Sequence, residues 1–265
     1  MLIGLNLQIE LIALNFRKSY AESNFSVLTW NVHCADGACA ERQVEIANLI
    51  VNTGADFVLL NEYNQDNCGI IDSILRKTYL YTEEIHSHQN CGDIFYSKIR
   101  LHNSGNLYFP EKGRYVHTIE ATVVVDKDSV HIYGVHLASN NKTDGEESTF
   151  TQHYERYLNA QKERIFETGW IKTVIRKSST KSIVLGDFND LSCSAPCDSL
   201  KDIGLLDAWW EGGFGYGTTF HDGFMRLRID HIFYSPEMKL CSVEIIETDL
   251  SDHNPIVARF NIDRL

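Results

Sequence analysis

Short apolar runs that end in a polar or ionisable residue recur along this chain. In SIVLGDFNDLS (182–192), Ile183-Val184-Leu185 is followed by a glycine and then by two acids and an amide. The run predicts a strand that is buried on both faces and opens at its carboxyl end. Because side chains alternate along a strand, we expect Asp187 and Asn189 on one side and Phe188 on the other. Such a pair can hold a cation or a water, although an isolated motif of this kind more often closes a strand as an Asx turn.

The same pattern recurs in five other segments. The polar residues that follow or interrupt these runs are Asn31 in SVLTWNVH, Glu62 in ADFVLLNEYNQ, His136 in VHIYGVHLAS, Asp230 and His231 in LRIDHIFYS, and Asp252 and His253 in TDLSDHNPIVARF. One polar group at a strand end is ordinary. Several from separate strands predict a site assembled at one edge of a sheet.

The ordered segments TWNVH, LLNEYNQ, GVHLAS, GDFND, RIDHIFYS and SDHNPI resemble the endonuclease/exonuclease/phosphatase superfamily. This superfamily includes pancreatic-type deoxyribonucleases, abasic-site endonucleases, neutral sphingomyelinases and inositol-polyphosphate phosphatases. The resemblance runs from about Phe25 to Phe260. It implies an α/β fold, a four-layered sandwich in which two central mixed β-sheets are flanked by helices.

The resemblance also implies a bound divalent cation, Mg²⁺ or Mn²⁺. Glu62 would be its chief ligand, with Asn31 and Asp252 nearby. Mg²⁺ prefers oxygen ligands and keeps several waters, so one or two carboxylates together with substrate oxygens suffice. A closed histidine cage is therefore not expected.

Five further residues would carry the catalytic chemistry by the same resemblance. Asp187 and Asn189 would orient the attacking water and a phosphate oxygen, and His136 would contact the scissile phosphate. His253, paired with Asp230, would act as a base or as a phosphate donor. An Asp–His pair fixes the imidazole tautomer and stabilises its protonated form. Whether Asp187 or His253 takes the water proton stays open.

Other histidines and acids have simpler explanations. Alternation points His33 and His231 away from the site, which favours structural roles. The segment EIHSHQNCGD (84–93) contains possible zinc ligands, but without a second ligand pair at suitable spacing we expect a solvated loop. Asp93 differs because it opens an apolar strand, and the resemblance suggests that it pairs with His136.

Length and composition predict a single folded unit. With 265 residues and 43% hydrophobic content, the chain can bury one core over residues 25–265, leaving 1–24 as an N-terminal extension or an atypical signal segment. Helical patterns near 41–52, 70–78 and 150–177 alternate with the strands, which indicates an α/β protein. The longest pattern places an apolar stripe on one helix face: Tyr154, Tyr157, Leu158, Ile165 and Phe166.

The net charge of −12 argues against tight binding to duplex nucleic acid, which normally needs a basic surface. The polar and acidic segment NNKTDGEESTFT (140–151), which follows His136 closely, would repel a long polyanion. The expected partner is a phosphoester substrate, possibly nucleic acid, and we expect a monomer.

The amino terminus leaves the compartment open. MLIGLNLQIELIALNF contains Glu10 and is short for a membrane span, and its basic residues follow the apolar part instead of preceding it. SYA at 19–21 nevertheless resembles a signal cleavage site, so we lean towards a secreted or periplasmic protein without a transmembrane segment. The odd count of seven cysteines includes the close pairs Cys34/Cys39 and Cys193/Cys197. If the protein is exported, we predict a disulfide between Cys193 and Cys197.

Together these features predict a divalent-metal-dependent hydrolase that cleaves phosphodiesters, possibly a nuclease. A phosphomonoesterase and a phospholipid or sphingomyelin-type phosphodiesterase are the enzymatic alternatives. A binding module that kept the fold is the non-enzymatic one. It has no reason to retain all six of these residues: Glu62, Asp187, Asn189, Asp230, Asp252 and His253.

Overall fold

The computed structural model describes residues 12–15, 22–33, 39–64, 66–86, 92–109, 114–139 and 150–262. Its helices are α1 (Ala40–Thr53), α2 (Gly69–Leu75), α3 (Phe150–Lys177), α4 (Ala195–Lys201) and α5 (Ala208–Gly212). Its strands are β1 (Ala13–Leu14), β2 (Phe25–Asn31), β3 (Phe57–Tyr63), β4 (Tyr81–His86), β5 (Gly92–Ser97), β6 (His102–Phe109), β7 (Arg114–Val125), β8 (Asp128–His136), β9 (Lys181–Asp187), β10 (Leu206–Asp207), β11 (Phe214–Gly215), β12 (Phe220–Asp222), β13 (Met225–Leu227), β14 (Asp230–Tyr234), β15 (Lys239–Ile245) and β16 (Ile256–Asn261).

Two six-stranded sheets organise the fold. The first sheet has the order β15-β16-β2-β3-β5-β4, and the second sheet has the order β10-β14-β9-β8-β7-β6. In each sheet the central pair is parallel, β2 with β3 and β8 with β9, and the other neighbours are antiparallel. Both sheets are therefore mixed, as predicted.

Three apolar layers hold the sheets and helices together. Val27 and Leu59 of the first sheet pack against Leu185 and Ile232 of the second, in what we call the inter-sheet layer. Helices α1 and α2 cover the outer face of the first sheet, and α3 and α4 cover that of the second. The predicted four-layered sandwich is confirmed.

The strand faces that form the inter-sheet layer become polar near one end of each strand. Two to four residues beyond the apolar positions, the side chains on that face become polar: Asn31 in β2, Asn61 in β3, Asp93 in β5, His136 in β8, Asp187 in β9 and Asp230 in β14. Since these strands belong to both sheets, the site lies where the inter-sheet layer opens. The prediction of a site at the edge of one sheet was incomplete.

Most of the apolar stripe predicted on α3 faces away from the core: Tyr154, Tyr157, Leu158 and Ile165 are exposed, and Phe166 packs against the layer beneath the helix. The buried face of α3 instead follows Ala160, Arg164, Thr168 and Ile171. Burial of the arginine is possible because its Nε donates to Ala138 O at 2.6 Å and its Nη1 donates to Asp190 Oδ2 at 3.2 Å.

The solvated loop predicted over 84–93 was wrong at its start, whereas Asp93 lies at the start of a strand as expected. Its first residues complete β4, which ends at His86, and its last residues begin β5 at Gly92. Asp93 is buried, and residues 87–91 lie outside the described residues. Antiparallel pairing of β4 with β5 accounts for this arrangement.

Part of the predicted N-terminal extension contacts the domain. β1 pairs with β11, and Asn15 Nδ2 donates to Trp210 O at 2.8 Å. Among the described residues, no helix is long and apolar enough to cross a membrane.

The predicted disulfide between Cys193 and Cys197 is absent, since both are free thiols. α4 begins at Ala195 and buries Cys197 in the apolar layer beneath the helix, whereas Cys193 precedes the helix and is half-buried. Cys68 is disulfide-bonded, a bond that the sequence did not indicate.

Candidate active site

Asp187 and Glu62 are joined by a single amide. Asn31 Nδ2 donates to Glu62 Oε1 at 2.9 Å and to Asp187 Oδ2 at 3.1 Å. Asp187 is buried, and Glu62 is half-buried. Two carboxylates held this close present an oxygen-rich, anionic surface.

Glu62 enters the site through an irregularity in β3. Regular alternation would turn its side chain towards the helices, but the register with β5 shifts between Leu60 and Tyr63, and Glu62 has a φ of 53°. Five described residues other than glycine have positive φ, and three of them, His33, Glu62 and Asn189, lie at this site. Backbone strain of this kind concentrates at functional sites.

His253 and Asp230 form a buried hydrogen-bonded pair. The Nδ1–Oδ2 distance is 2.8 Å, and Trp30 Nε1 donates to His253 O at 2.8 Å. Burial alone would lower the pKa of His253, but the Asp230 carboxylate outweighs it and raises the pKa to about 10. The carboxylate thus favours the protonated ring, and His253 Nε2 lies 3.9 Å from Asp187 Oδ2.

His136 faces the same carboxylate from β8. Its Nε2 lies 3.6 Å from Glu62 Oε1 and 3.9 Å from Asp187 Oδ2. Burial lowers the pKa of His136, while Asp93, Asp187 and Glu62 together raise it above its ordinary value. His136 Nδ1 lies 3.8 Å from Asp93 Oδ1. The two residues are therefore neighbours, as the resemblance suggested, but this distance is too long for a hydrogen bond.

Asn189 lies beyond the end of β9 with a φ of 51°, so strand alternation does not reach it, and Asp187 closes the strand with the Asx turn named above as the alternative. The backbone N of Asn189 donates to Asp187 Oδ1 at 2.7 Å, and its Nδ2 donates to Leu137 O at 2.9 Å. The carboxamide thus ties the loop after β9 to the loop after β8.

Asp252 lies next to this cluster and pairs with His33, whose Nδ1 is 3.1 Å from Asp252 Oδ2. The prediction that His33 points away was wrong, because β2 ends at Asn31 and alternation does not extend to a residue with a φ of 46°. Burial raises the pKa of Asp252, but the hydrogen bond from His33 outweighs this and lowers it.

His231 lies on the opposite face of β14, as predicted. Its Nδ1 is 3.0 Å from Arg228 Nη1, and its Nε2 is 2.9 Å from Asp190 O. Burial and the neighbouring guanidinium lower its pKa to about 4. The ring is neutral and serves packing.

The sequence matches the model of the Endonuclease/Exonuclease/phosphatase family over residues 28–253. The chain belongs to this family. Among curated proteins, none shows significant sequence similarity to the chain.

Solved structures of similar fold come from several organisms. Truncated TDP2 from Caenorhabditis elegans is 20% identical with a TM-score of 0.64, over 89% of this chain and 97% of that one. The 3′-5′ exonuclease NExo from Neisseria meningitidis is 19% identical with a TM-score of 0.66, over 89% and 100%. A beta toxin from Staphylococcus aureus is 15% identical with a TM-score of 0.65, over 88% and 99%. At these identities the likeness establishes the fold.

The donor set of this family member suits a hard divalent cation. Donor atoms of Glu62, His136 and Asp187 lie within 4.8 Å of one another, and so do those of Asp187, Asp230 and His253. Carboxylate oxygens dominate both groups, which matches the preference of Mg²⁺ and Mn²⁺. Asp252 belongs to neither group among the described residues.

Sequence reasoning missed three residues that support the site. Asn61 contacts Asp93 and Asp187, Thr219 Oγ1 accepts from Asp230 N at 3.0 Å, and Ser251 Oγ donates to Asn31 O at 2.8 Å. Asn61 could have been found, because it precedes Glu62 at an inward-facing position of β3. Thr219 gave no signal, since its contact depends on tertiary structure.

Proposed function

We propose that the protein is a divalent-metal-dependent hydrolase that cleaves phosphodiester bonds. Membership of a phosphoesterase family supports hydrolysis of a phosphoric ester. The observation that carries the proposal is the convergence of two histidines on one carboxylate: Nε2 of His136 and Nε2 of His253 each lie 3.9 Å from Asp187 Oδ2.

Glu62 would be the chief ligand of the cation, with Asn31 and Asp252 nearby, and Asn31 also bridges Glu62 to Asp187. Mg²⁺ or Mn²⁺ bound there would neutralise phosphate charge and help the departing oxygen. The amide of Asn31 keeps the two carboxylate oxygens oriented, because its Nδ2 donates to both.

The two histidines would bind the phosphate and manage its charge. His253 has a raised pKa and a buried carboxylate behind it, so we infer that it donates to a phosphate oxygen. Asp187 is then the acceptor for the proton of the attacking water. Asn189, whose backbone N donates to Asp187, would hold that carboxylate in place.

Small phosphoesters or short single-stranded ends are the substrates that the charge supports best. A net charge of −12 opposes accumulation of a long polyanion. The acidic segment thought to reinforce this effect, 140–151, falls largely outside the described residues.

A substrate panel with purified protein tests the function. Turnover of a bis-aryl phosphodiester should vanish in excess chelator and return with Mg²⁺ or Mn²⁺. In Glu62→Gln, the metal concentration for half-maximal turnover should rise. Undiminished activity in chelator would sink the mechanism, and absence of turnover on diesters, monoesters and oligonucleotides would favour the binding module.

Plasmid nicking separates the substrate classes. We expect nicking to be slower than small-diester turnover and strongly suppressed by added salt. Fast, salt-tolerant nicking of supercoiled plasmid would make duplex nuclease the correct assignment.

Export remains our prediction for the compartment. The disulfide of Cys68 supports an oxidising environment, whereas the free Cys193 and Cys197 do not. Mass spectrometry of alkylated, unreduced protein from its native compartment decides between them.

A further inference from the structure

The carboxamide of Asn61 connects the two sheets beneath the site. Asn61 is fully buried in β3. Its Nδ2 donates to Asp93 Oδ1 at 2.7 Å and to Val135 O at 3.1 Å. Its Oδ1 accepts from Asp187 N at 3.2 Å. One amide therefore contacts β5 in its own sheet and both β8 and β9 in the other sheet.

Each of these three partners contacts, adjoins or belongs to a residue whose side chain lies in the site. Asp93 Oδ1 is the atom that lies 3.8 Å from His136 Nδ1, and Val135 immediately precedes His136 in β8. Asp187 N belongs to the residue whose carboxylate both histidines face. The three hydrogen bonds of Asn61 therefore fix the mutual position of His136 and Asp187.

We propose that Asn61 is a positioning residue that sets His136 and its carboxylate partner relative to Asp187 without touching the substrate. This inference rests on the phosphoesterase function proposed above. Reacting groups need placement to well under an ångström, and a 1 Å displacement can lower a rate by ~10². An amide is required here, because the position needs two donated hydrogen bonds and one accepted hydrogen bond.

A buried amide with three hydrogen bonds also stabilises the fold, so the test needs a matched control. Asn64 provides it: it is buried just after β3, and its Oδ1 accepts from Asp66 N at 3.0 Å and from Asn67 N at 3.2 Å. Neither partner belongs to the site. Asn64→Ala thus removes buried hydrogen bonds near Asn61→Ala without disturbing His136 or Asp187.

The experiment measures kcat, KM and metal dependence of Asn61→Ala and Asn64→Ala, well below the Tm of each variant. We expect Asn61→Ala to lower kcat by ~10 to 10² with KM within about threefold, and Asn64→Ala to change kcat by less than about threefold. Equal kcat values in the two variants, or a loss confined to KM, would overturn the inference. Absence of turnover in the unmodified protein would instead sink the proposed function.

Two further measurements keep the inference testable. The ring signals of His136 in NMR spectra should shift in Asn61→Ala, while those of His131, which contacts Glu120 instead, should not. Unchanged His136 signals would contradict the proposal whether or not the protein is an enzyme. If Asn61→Ala does not fold, Asn61→Ser keeps one donor and one acceptor but is too short to reach Asp93, Val135 and Asp187 together. The value of kcat should then still fall by ~10, and an unchanged kcat would reject the proposal.

Discussion

The chain contains two Asp-His dipeptides, and the fold uses opposite members of each. In Asp230-His231, strand alternation sends the aspartate into the inter-sheet site and the histidine to the outer face of β14. In Asp252-His253, which lies in the loop before β16, the histidine enters the site and the aspartate pairs with His33. Identical dipeptides therefore acquire different roles from the backbone that presents them.

The partner of each histidine determines its charge. Burial lowers the pKa of both rings, yet His231, beside the Arg228 guanidinium, has a pKa of about 4, and His253, beside the Asp230 carboxylate, has a pKa of about 10. The neutral form of His231 and the protonated form of His253 are therefore favoured. Residue type and burial alone do not identify a functional histidine, whereas the sign of the buried neighbour does.

The largest expected effect distinguishes these two histidines directly. His253→Ala should lower turnover by ~10² or more, and so should Asp187→Ala, because proton transfer or phosphate stabilisation is lost. His231→Gln should stay within about threefold, since it contacts neither Asp187 nor Glu62 in the described structure. Steady-state kinetics on folded variants measures this. Near-normal turnover in both alanine variants would show that the site is elsewhere.

The two aspartates should differ in kind. Asp230→Asn should lower kcat by ~10², because the carboxylate fixes the tautomer and charge of His253. Asp252→Asn should act mainly on metal, raising the concentration needed for half-maximal turnover with a smaller change in kcat. Metal titrations of both variants make the comparison. A kcat loss in Asp252→Asn equal to that in Asp230→Asn would remove the distinction.

How far the sequence predicted the site depends on whether a residue lies in a regular strand. Alternation correctly placed Asp187, the last residue of β9, on the inter-sheet face, and its neighbour Phe188 packs in the layer beneath α3 and α4. It failed for His33, which lies beyond β2 with positive φ. It would also have misplaced Glu62, for which the family resemblance compensated. Contacts between the sheets, such as those of Asn61, required the tertiary structure.

The helices show the same limit for hydrophobic patterning. The bounds of α3 were predicted correctly, but four of the five residues of its apolar stripe are exposed and its buried face contains Arg164. Periodicity cannot reveal that Asp190 and Ala138 O lie where they accept hydrogen bonds from that guanidinium.

A smaller effect on stability follows from His231. Its folded pKa is lowered to about 4, so its contribution to stability is present above the unfolded pKa of about 6.5 and is lost as the pH falls towards 4. The loss over this window should be at most ~3 kcal/mol. Urea unfolding at pH 7 and pH 4.5 should show a smaller decrease for His231→Gln than for the unmodified protein. Equal decreases would mean that other groups control acid stability.

The smallest expected effect concerns the pair outside the central cluster. His33 Nδ1 lies 3.1 Å from Asp252 Oδ2, but about a third of each side chain is exposed, so water screens the interaction. His33→Ala should therefore lower turnover by only ~2 to 5, through slightly weaker orientation of Asp252, and the metal requirement should rise by a similar factor. Kinetics at several metal concentrations, with His231→Gln as the comparison, tests this. A loss of ~10² would show that the pair of His33 and Asp252 takes part in catalysis directly. Both residues of Asp252-His253 would then contribute to turnover.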